Sequence, residues 1–513
     1  MNAPEYLIEI AAWVGDAEKV LRVGTCGYNT GPGDNPPNAH YLDVVADPGS
    51  FVRHLFGPAR TTGRSEVSYG EIQLSNANGE LDGWIDYGFD GRTVLVKRLS
   101  SRRAPYSSAI TVLRGTVERL DADNAWLGFR LRFYDRRRSI DKPIQETVYA
   151  GTTVSAGPTA EGNLDLKDSV KPLCFGHCLN VPPALANAFD LIYQVHDGAV
   201  SSIAVYDGGV PLTLGVNHAN IAALQAATIR PGRFDTCLAL GLFRLGGSPA
   251  FVVTADVLEG ATAAARYPGA VVRRMLAKLG LTGSGNVNVA SFNALDASAQ
   301  IEVGMWLDTQ TAGLAAMGDV LASVGGWIMP GADGAFEAGR LLAPGVPVGT
   351  INDDDMLKDS LGIITSTDTD GGLPAWRVVL EYARNWQVQD DAQLGGCVEM
   401  ARRAFLAAEM REEKIENDAV RVKHLLAPEM RVSTLIVDQD AAEAEAARWL
   451  DLYSVRRDIL SFSMPHADAD AFQLGKTVKI VLPRWGYEAG RDMVVIGREE
   501  TLRDYTVTLT VWG

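Results

Sequence analysis

The most tempting cluster of metal-ligating residues in the chain is Cys174-Phe175-Gly176-His177-Cys178. Two thiolates and an imidazole suit zinc or an iron–sulfur cluster. A complete site needs a third or fourth ligand. Cys26, Cys237 and Cys397 each stand alone, and the two clustered thiols lack the Cys-x-x-Cys spacing of a zinc knuckle. The competing reading is two small buried residues around a turn at Gly176, and it is the one expected here.

Other candidate chemistries are thinner. Seven histidines are scattered at His40, His54, His177, His196, His218, His424 and His466, and none sits in an HExxH motif. The chain has no Gly-x-Ser-x-Gly elbow and no Walker A loop. Gly24 to Gly33 is glycine-rich but lacks the Lys-Ser/Thr ending and precedes Pro36-Pro37, so it is expected to be a surface loop. Asp353-Asp354-Asp355 invites calcium, yet the glycine and glutamate of an EF-hand loop do not follow. A solvated acidic loop ahead of a helix starting at Met356 fits better. The 63 acids single out no pair for glycoside cleavage. Arg136-Arg137-Arg138 is the densest basic run, without the interleaved aromatics of a nucleic-acid platform. No catalytic, cofactor-binding or metal-binding residue is therefore assigned, and the expected work of the chain is to present surfaces.

The elements that would carry such surfaces are mostly strands. Apolar runs begin at Leu7, Ile8 and Ile10 and again from Tyr41 to Val45. Ser68 to Ser75 alternates with period 2, with Tyr69 assigned to the same pattern as Ile72 and Leu74, and runs into an Asn-Gly turn signal at Asn76 to Gly79. Thr93–Leu99 and Ala109–Val117 are predicted strands, and Trp126, Phe129, Leu131 and Phe133 close the first β-rich unit. Ala150 to Lys167, rich in small residues, is a predicted linker. Lys171 to Gly176 opens a second β region that ends near Val257. Val271, Val272, Met275, Leu276 and Leu279 then mark an amphipathic helix capped by Gly280, and Leu314, Met317, Leu321 and Val324 a second one stopped by Gly325-Gly326. Trp376–Tyr382 is a strand. Asp440 with Glu443 forms the expected capping box of a helix carrying Trp449, Leu452 and Tyr453. Three strands end the chain, at Val478–Leu482, Met493–Ile496 and Tyr505–Trp512, the last strictly alternating.

At 513 residues the chain exceeds a single core, so several domains are expected. The boundaries fall at 1–150, 151–261, 262–345 and 346–513. The fold class is mainly β with an α+β middle. No repeat of 20–50 residues is visible, which removes solenoids and propellers. The formal net charge is −16. Between Asp90 and Lys142, thirteen Lys/Arg face six Asp/Glu, so this segment carries 13 − 6 = +7 and the remainder −16 − 7 = −23. Such polarity suits end-to-end docking with partners of opposite local sign, or a plain solvated basic face. The five scattered cysteines are no disulfide framework. Neither a signal peptide nor an apolar membrane span is visible, so synthesis in a cytoplasm with no stable membrane insertion is expected.

Several stretches, in order along nearly the whole chain, resemble the baseplate or tail-tip hub proteins of Mu-like phages. They are Ser68-Tyr69-Gly70-Glu71-Ile72 with Asn76, Gly79, Leu81-Asp82 and Phe89-Asp90-Gly91-Arg92; Lys171 to Gly176 with Asn180-Val181; and Tyr193-Gln194-Val195-His196-Asp197-Gly198. Phe243-Arg244-Leu245, Thr254-Ala255-Asp256-Val257, Glu381 to Trp386, Glu445 to Tyr453 and Thr508 to Gly513 continue the series. The resemblance implies a structural virion protein with no enzymatic activity and no cofactor. It implies a homotrimer in which two tail-tube-like β-barrel domains per subunit adapt a sixfold tail tube or distal tail ring to a threefold tip. The partners implied are the distal tail protein and tube above, and central spike, fibre or distal hub proteins below, with phage DNA passing through the lumen. The place implied is the virion tail tip, assembled in the host bacterial cytoplasm. Some hubs carry an iron–sulfur cluster in a C-terminal cysteine-rich domain; only Cys397 lies beyond residue 237 here, so that feature is not implied. The alternatives are a hexameric distal tail ring protein, a tail-associated cell-wall hydrolase and a receptor-binding protein.

Overall fold

A computed structural model describes residues 4–123, 127–153, 160–368 and 371–513. Trp126 and the centre of the predicted linker lie outside the described residues. The chain is mainly β, with helices concentrated in its middle and last parts.

The largest element is a 15-stranded sheet. Its path runs from Gly362–Ile364 through Ile459–Pro465, Thr506–Trp512 and Arg491–Thr501 to Val45–His54. It continues through Tyr69–Ser75, Gly128–Asp135, Ile110–Ala122 and Thr93–Leu99 to Glu5–Val14, and ends at Tyr28–Asn29. Thr477–Val481 branches from Arg491–Thr501 and carries Thr350–Asn352 in parallel. The mainly β, multi-domain expectation stands, but the closed barrels within it do not. The described path has two ends and does not return on itself. The physical reason is that Val45–His54 and Arg491–Thr501 spend their edges on each other, from Gly497 opposite His54 to Thr501 opposite Ser50. Backbone groups that could have closed a barrel locally are hydrogen-bonded between the first and last regions instead.

Local chemistry explains the strands. Thr506–Trp512 buries Val507, Leu509 and Val511 and leaves its threonines half-buried, as strict alternation requires. In Tyr69–Ser75 the buried face is Gly70, Ile72 and Leu74. Tyr69 belongs to the other face and is 75% exposed, which corrects the expected phase. It is out of step with Ile72 by an odd number of residues, and the pleat sends it outward. Gly70 is small because a Cβ there would meet the Phe133 ring at 2.4 Å.

Two five-stranded sheets follow. One is ordered Val210–Pro211, Ser202–Asp207, Val253–Leu258, Leu173–Val181 and Gly304–Leu307, and the other runs from Ala184–Asn187 to Thr213–Asn217. The helix Pro268–Lys278 begins with proline at its first turn and buries Val271, Val272, Met275 and Leu276. It ends in a Schellman motif. Gly280 takes φ +81°, its N–H donates to Ala277 and the N–H of Leu281 donates to Leu276. Gly313–Ala322 packs beside it and stops before Gly325 at φ +63°. A three-stranded sheet, Arg411–Glu416, Arg377–Tyr382 and Glu429–Ser433, lies under the helix Gln439–Tyr453. That helix is capped by Asp438, whose carboxylate accepts from Ala441 N at 3.0 Å, two residues before the expected Asp440. Ala442, Glu445, Ala446 and Trp449, spaced i, i+3, i+4 and i+7, form its buried face.

Candidate functional site

The sequence candidates disperse. Cys174 and Cys178 are fully buried on the strand Leu173–Val181, not around a turn. Gly176 is a kink within that strand. Its φ is +78°, and a Cβ would sit 2.0 Å from the Val303 carbonyl oxygen. His177 is turned away from the thiols and lies 3.8 Å from Glu302. Burial holds the Cys174 pKa well above that of a free thiol, the opposite of what a thiolate ligand needs. Among the described residues no group of three His, Cys, Asp or Glu is placed to hold a metal.

Asp353–Asp355 is itself a 3₁₀ turn, not a loop ahead of a helix. Asp355 folds back to accept from the N–H of Asn352 at 2.8 Å, the reciprocal half of a capping box around this single turn. In the basic run, Arg137 is fully buried and donates twice to Asp135 Oδ2, with a further bond to Ser68 Oγ. Arg136 ties the first region to the middle through the carbonyls of Gly285 and Gly334 and through Asn286. Only Arg138 is exposed, beside Asp141. A run that looked like a surface is mostly internal scaffolding. The glycine-rich loop is pinned by Thr30, whose hydroxyl donates to Pro36 O and accepts from Ala39 N, each at 2.7 Å.

What the fold does assemble is the seam where the first region meets the last. Pairing puts Arg53 opposite Arg498, an arrangement that would destabilise a bare sheet. Glu500 resolves it. Its Oε1 accepts from Arg53 and from Arg498, each at 2.9 Å, and Oε2 accepts from His466 Nε2 at 3.0 Å. With Nε2–H donating there, His466 Nδ1 accepts from Arg98 at 2.5 Å. Arg98 in turn reaches Asp470. Arg498 also donates to the carbonyls of Ala469 and Phe472. Burial alone would raise the Glu500 pKa, but His466, Arg53 and Arg498 outweigh it and hold the carboxyl far below the usual range. Burial pushes Arg53 the other way, against the pull of Glu500. A guanidinium keeps its proton regardless, so the ion pair stands.

Above this network the seam opens into two contiguous hollows of about 310 and 560 Å³ that share Val52, Tyr69 and Glu499. Phe56, Val67 and Phe133 add apolar lining; Glu66, Glu71 and Glu118 add acid. Glu66 pairs with Arg60, and Glu71 with Arg132. Sequence reasoning missed the seam, because Glu500 and Arg53 lie 447 positions apart. The only local trace is a charged triplet, Arg498-Glu499-Glu500, directly after the apolar run Met493 to Ile496.

A second buried ionisable group sets a pH response. His196 Nδ1 accepts from Cys174 N at 2.9 Å, and burial pushes its pKa down from 6.5 to about 4. The folded state therefore refuses a proton that the unfolded state takes up below pH 6.5. Stability is full above that value and falls toward pH 4, with about 2 kcal/mol lost by pH 5. Melting curves between pH 7 and pH 5 should show this decline, and His196→Gln should flatten it. An unchanged slope in the variant would remove His196 as the cause. His54, also depressed to about 4 by burial and Arg137, leaves a residual slope.

No family model and no curated protein matches the chain. Among solved structures it is similar to a tail protein from Neisseria meningitidis MC58, at 11% identity over 99% of this chain and 96% of that one, with a TM-score of 0.38. It is also similar to the 43 kDa tail protein of prophage MuSo2 from Shewanella oneidensis, at 7% identity over 99% and 96%, with a TM-score of 0.39. A prophage tail protein from Listeria monocytogenes EGD-e is 8% identical over 99% and 94%, with a TM-score of 0.38. At these TM-scores the superpositions are loose.

Proposed function

We propose that this chain is a structural subunit of a phage-type tail and works as the hub of the tail tip or baseplate. The observation that carries the reading is the ordered series of hub-like sequence patterns, from Ser68-Tyr69-Gly70-Glu71-Ile72 to Thr508-Leu509-Thr510-Val511-Trp512-Gly513. In this reading three copies form a ring on the tail axis. The ring adapts the sixfold tube or distal tail ring to a threefold tip and lines the path of the DNA. Spike or fibre proteins sit below it, and the part is not an enzyme.

The physical logic supports such a role. A ring part has to transmit load between its first and last β regions, and here they are one hydrogen-bonded sheet welded by Glu500. Edge strands such as Gly362–Ile364 have a described partner on one side only, which suits completion by neighbouring subunits. Large obligate interfaces make such a subunit inseparable from its assembly.

The test is the mass of the purified chain by light scattering, paired with the symmetry of the tail axis in intact particles. Three copies are expected. Six would move the chain to the distal ring, and a stable monomer that clears cell-wall suspensions would replace both structural readings.

A further inference from the structure

One segment of the chain carries apolar side chains with nothing to cover them. Between the strands Arg411–Glu416 and Glu429–Ser433, the short helix Asp418–Lys423 and the following turn project Val422, Leu425 and Leu426, which are 80, 90 and 84% exposed. The tip is ordered from within. Val420 is buried, Arg421 stacks over Trp376 at 4.8 Å, and Ala427 N donates to His424 O at 2.9 Å. Its flanking acids are spent, because Glu416 and Glu429 each lie 2.8 Å from Arg377. Lys423 has no hydrogen-bond or ion-pair partner among the described residues. The tip is thus apolar with a free cation beside it. Exposed apolar clusters of this kind mark contact surfaces.

The same chain carries a concave surface, the double hollow over the seam, in which four carboxylates stand beside two arginines, Arg132 and Arg498. Its walls include Val52, Phe133 and the exposed Tyr69. Its carboxylates are Glu66, Glu71, Glu118 and Glu499. Glu499, shared by both hollows, has no hydrogen-bond or ion-pair partner among the described residues. A free carboxylate in a concave wall focuses negative potential toward an incoming cation.

We propose that the tip 418–427 of one copy seats in the seam hollow of a neighbouring copy, with Lys423 meeting Glu499 and Leu425 and Leu426 covering the apolar wall. A second copy is the occupant favoured by charge. At −16 the chain repels its own kind overall, so self-association needs localised pairs of opposite sign, and both halves of such a pair are present here. The contact joins two different patches, so it is head-to-tail, the kind that closes into a ring when the rotation permits. It rests on the ring reading above and names the surfaces that would build the ring.

The experiment is light scattering of the full chain against concentration at low salt. Lys423→Glu and Glu499→Lys should each weaken self-association by about tenfold, and the double variant K423E/E499K should recover to within about threefold of the natural chain. Leu425→Asp, at an exposed position, should weaken it without altering the melting temperature. A double variant no tighter than either single one overturns the contact. Single variants that form the same ring as readily as the natural chain also overturn it and leave the ring reading standing. A natural chain that stays monomeric at every concentration removes both.

Discussion

Replacing Glu500 with Leu is expected to destabilise the protein by about 3–5 kcal/mol, because it strands two buried guanidiniums without a counter-charge. Arg53 and Arg498 face each other across the seam, both buried, and Glu500 is the carboxylate that reaches both. Denaturant unfolding measures the effect as a fall in the midpoint of the first transition. Glu499→Gln on the same strand, half-buried and without a partner among the described residues, is the control and should change stability by no more than about 0.5 kcal/mol. Equal effects at the two positions would show that the seam does not depend on the network. The pH dependence has a definite sign. The folded-state pKa of Glu500 lies below its unfolded value, so its contribution is complete above about pH 4.3 and is lost as pH falls below that. The gap between the natural chain and the Leu variant should narrow in acid.

The second large effect is expected at Glu445. Its carboxylate takes both oxygens to Arg340, at 2.8 and 2.6 Å, and also accepts from Arg448 and from Trp449 Nε1. The side chains of Arg340 and Glu445 are 3 and 2% exposed. This pair locks the helix Gln439–Tyr453 onto the hairpin strand Phe336–Arg340. Glu445→Leu alone leaves Arg340 buried and unpaired, at a cost of about 3–5 kcal/mol. The double variant Glu445→Leu with Arg340→Met removes both charges and should recover most of that loss. A double variant as unstable as the single would mean that the hydrogen bonds to Arg448 and Trp449, not the ion pair, hold the helix.

Both predictions concern residues to which no local pattern gave a role, although Glu445 opens one of the hub-like stretches, and the reason is physical. Strand and helix periodicity depends on neighbours two to four positions away, so it is legible in one dimension. Thr93–Leu99 was placed to the residue, and Pro268–Lys278 and its Gly280 cap follow from spacing and a glycine. Where two local signals competed, the sequence was ambiguous. Tyr69 matches an apolar face by residue type but the pleat sends it outward, and Asp438 rather than Asp440 caps the helix because its carboxylate accepts from Ala441 N.

The sequence by itself therefore determined the fold class of the protein: mainly β, with helices grouped later in the chain. Only the tertiary structure decided that the first and last β regions form one open sheet, since strand pairing across some 450 residues is selected by edge complementarity and not by local preference. Only it decided that Arg137 is a core residue and Lys423 a free one. A charge in sequence has no burial, and its energetic meaning comes from the dielectric and the partners that folding places around it.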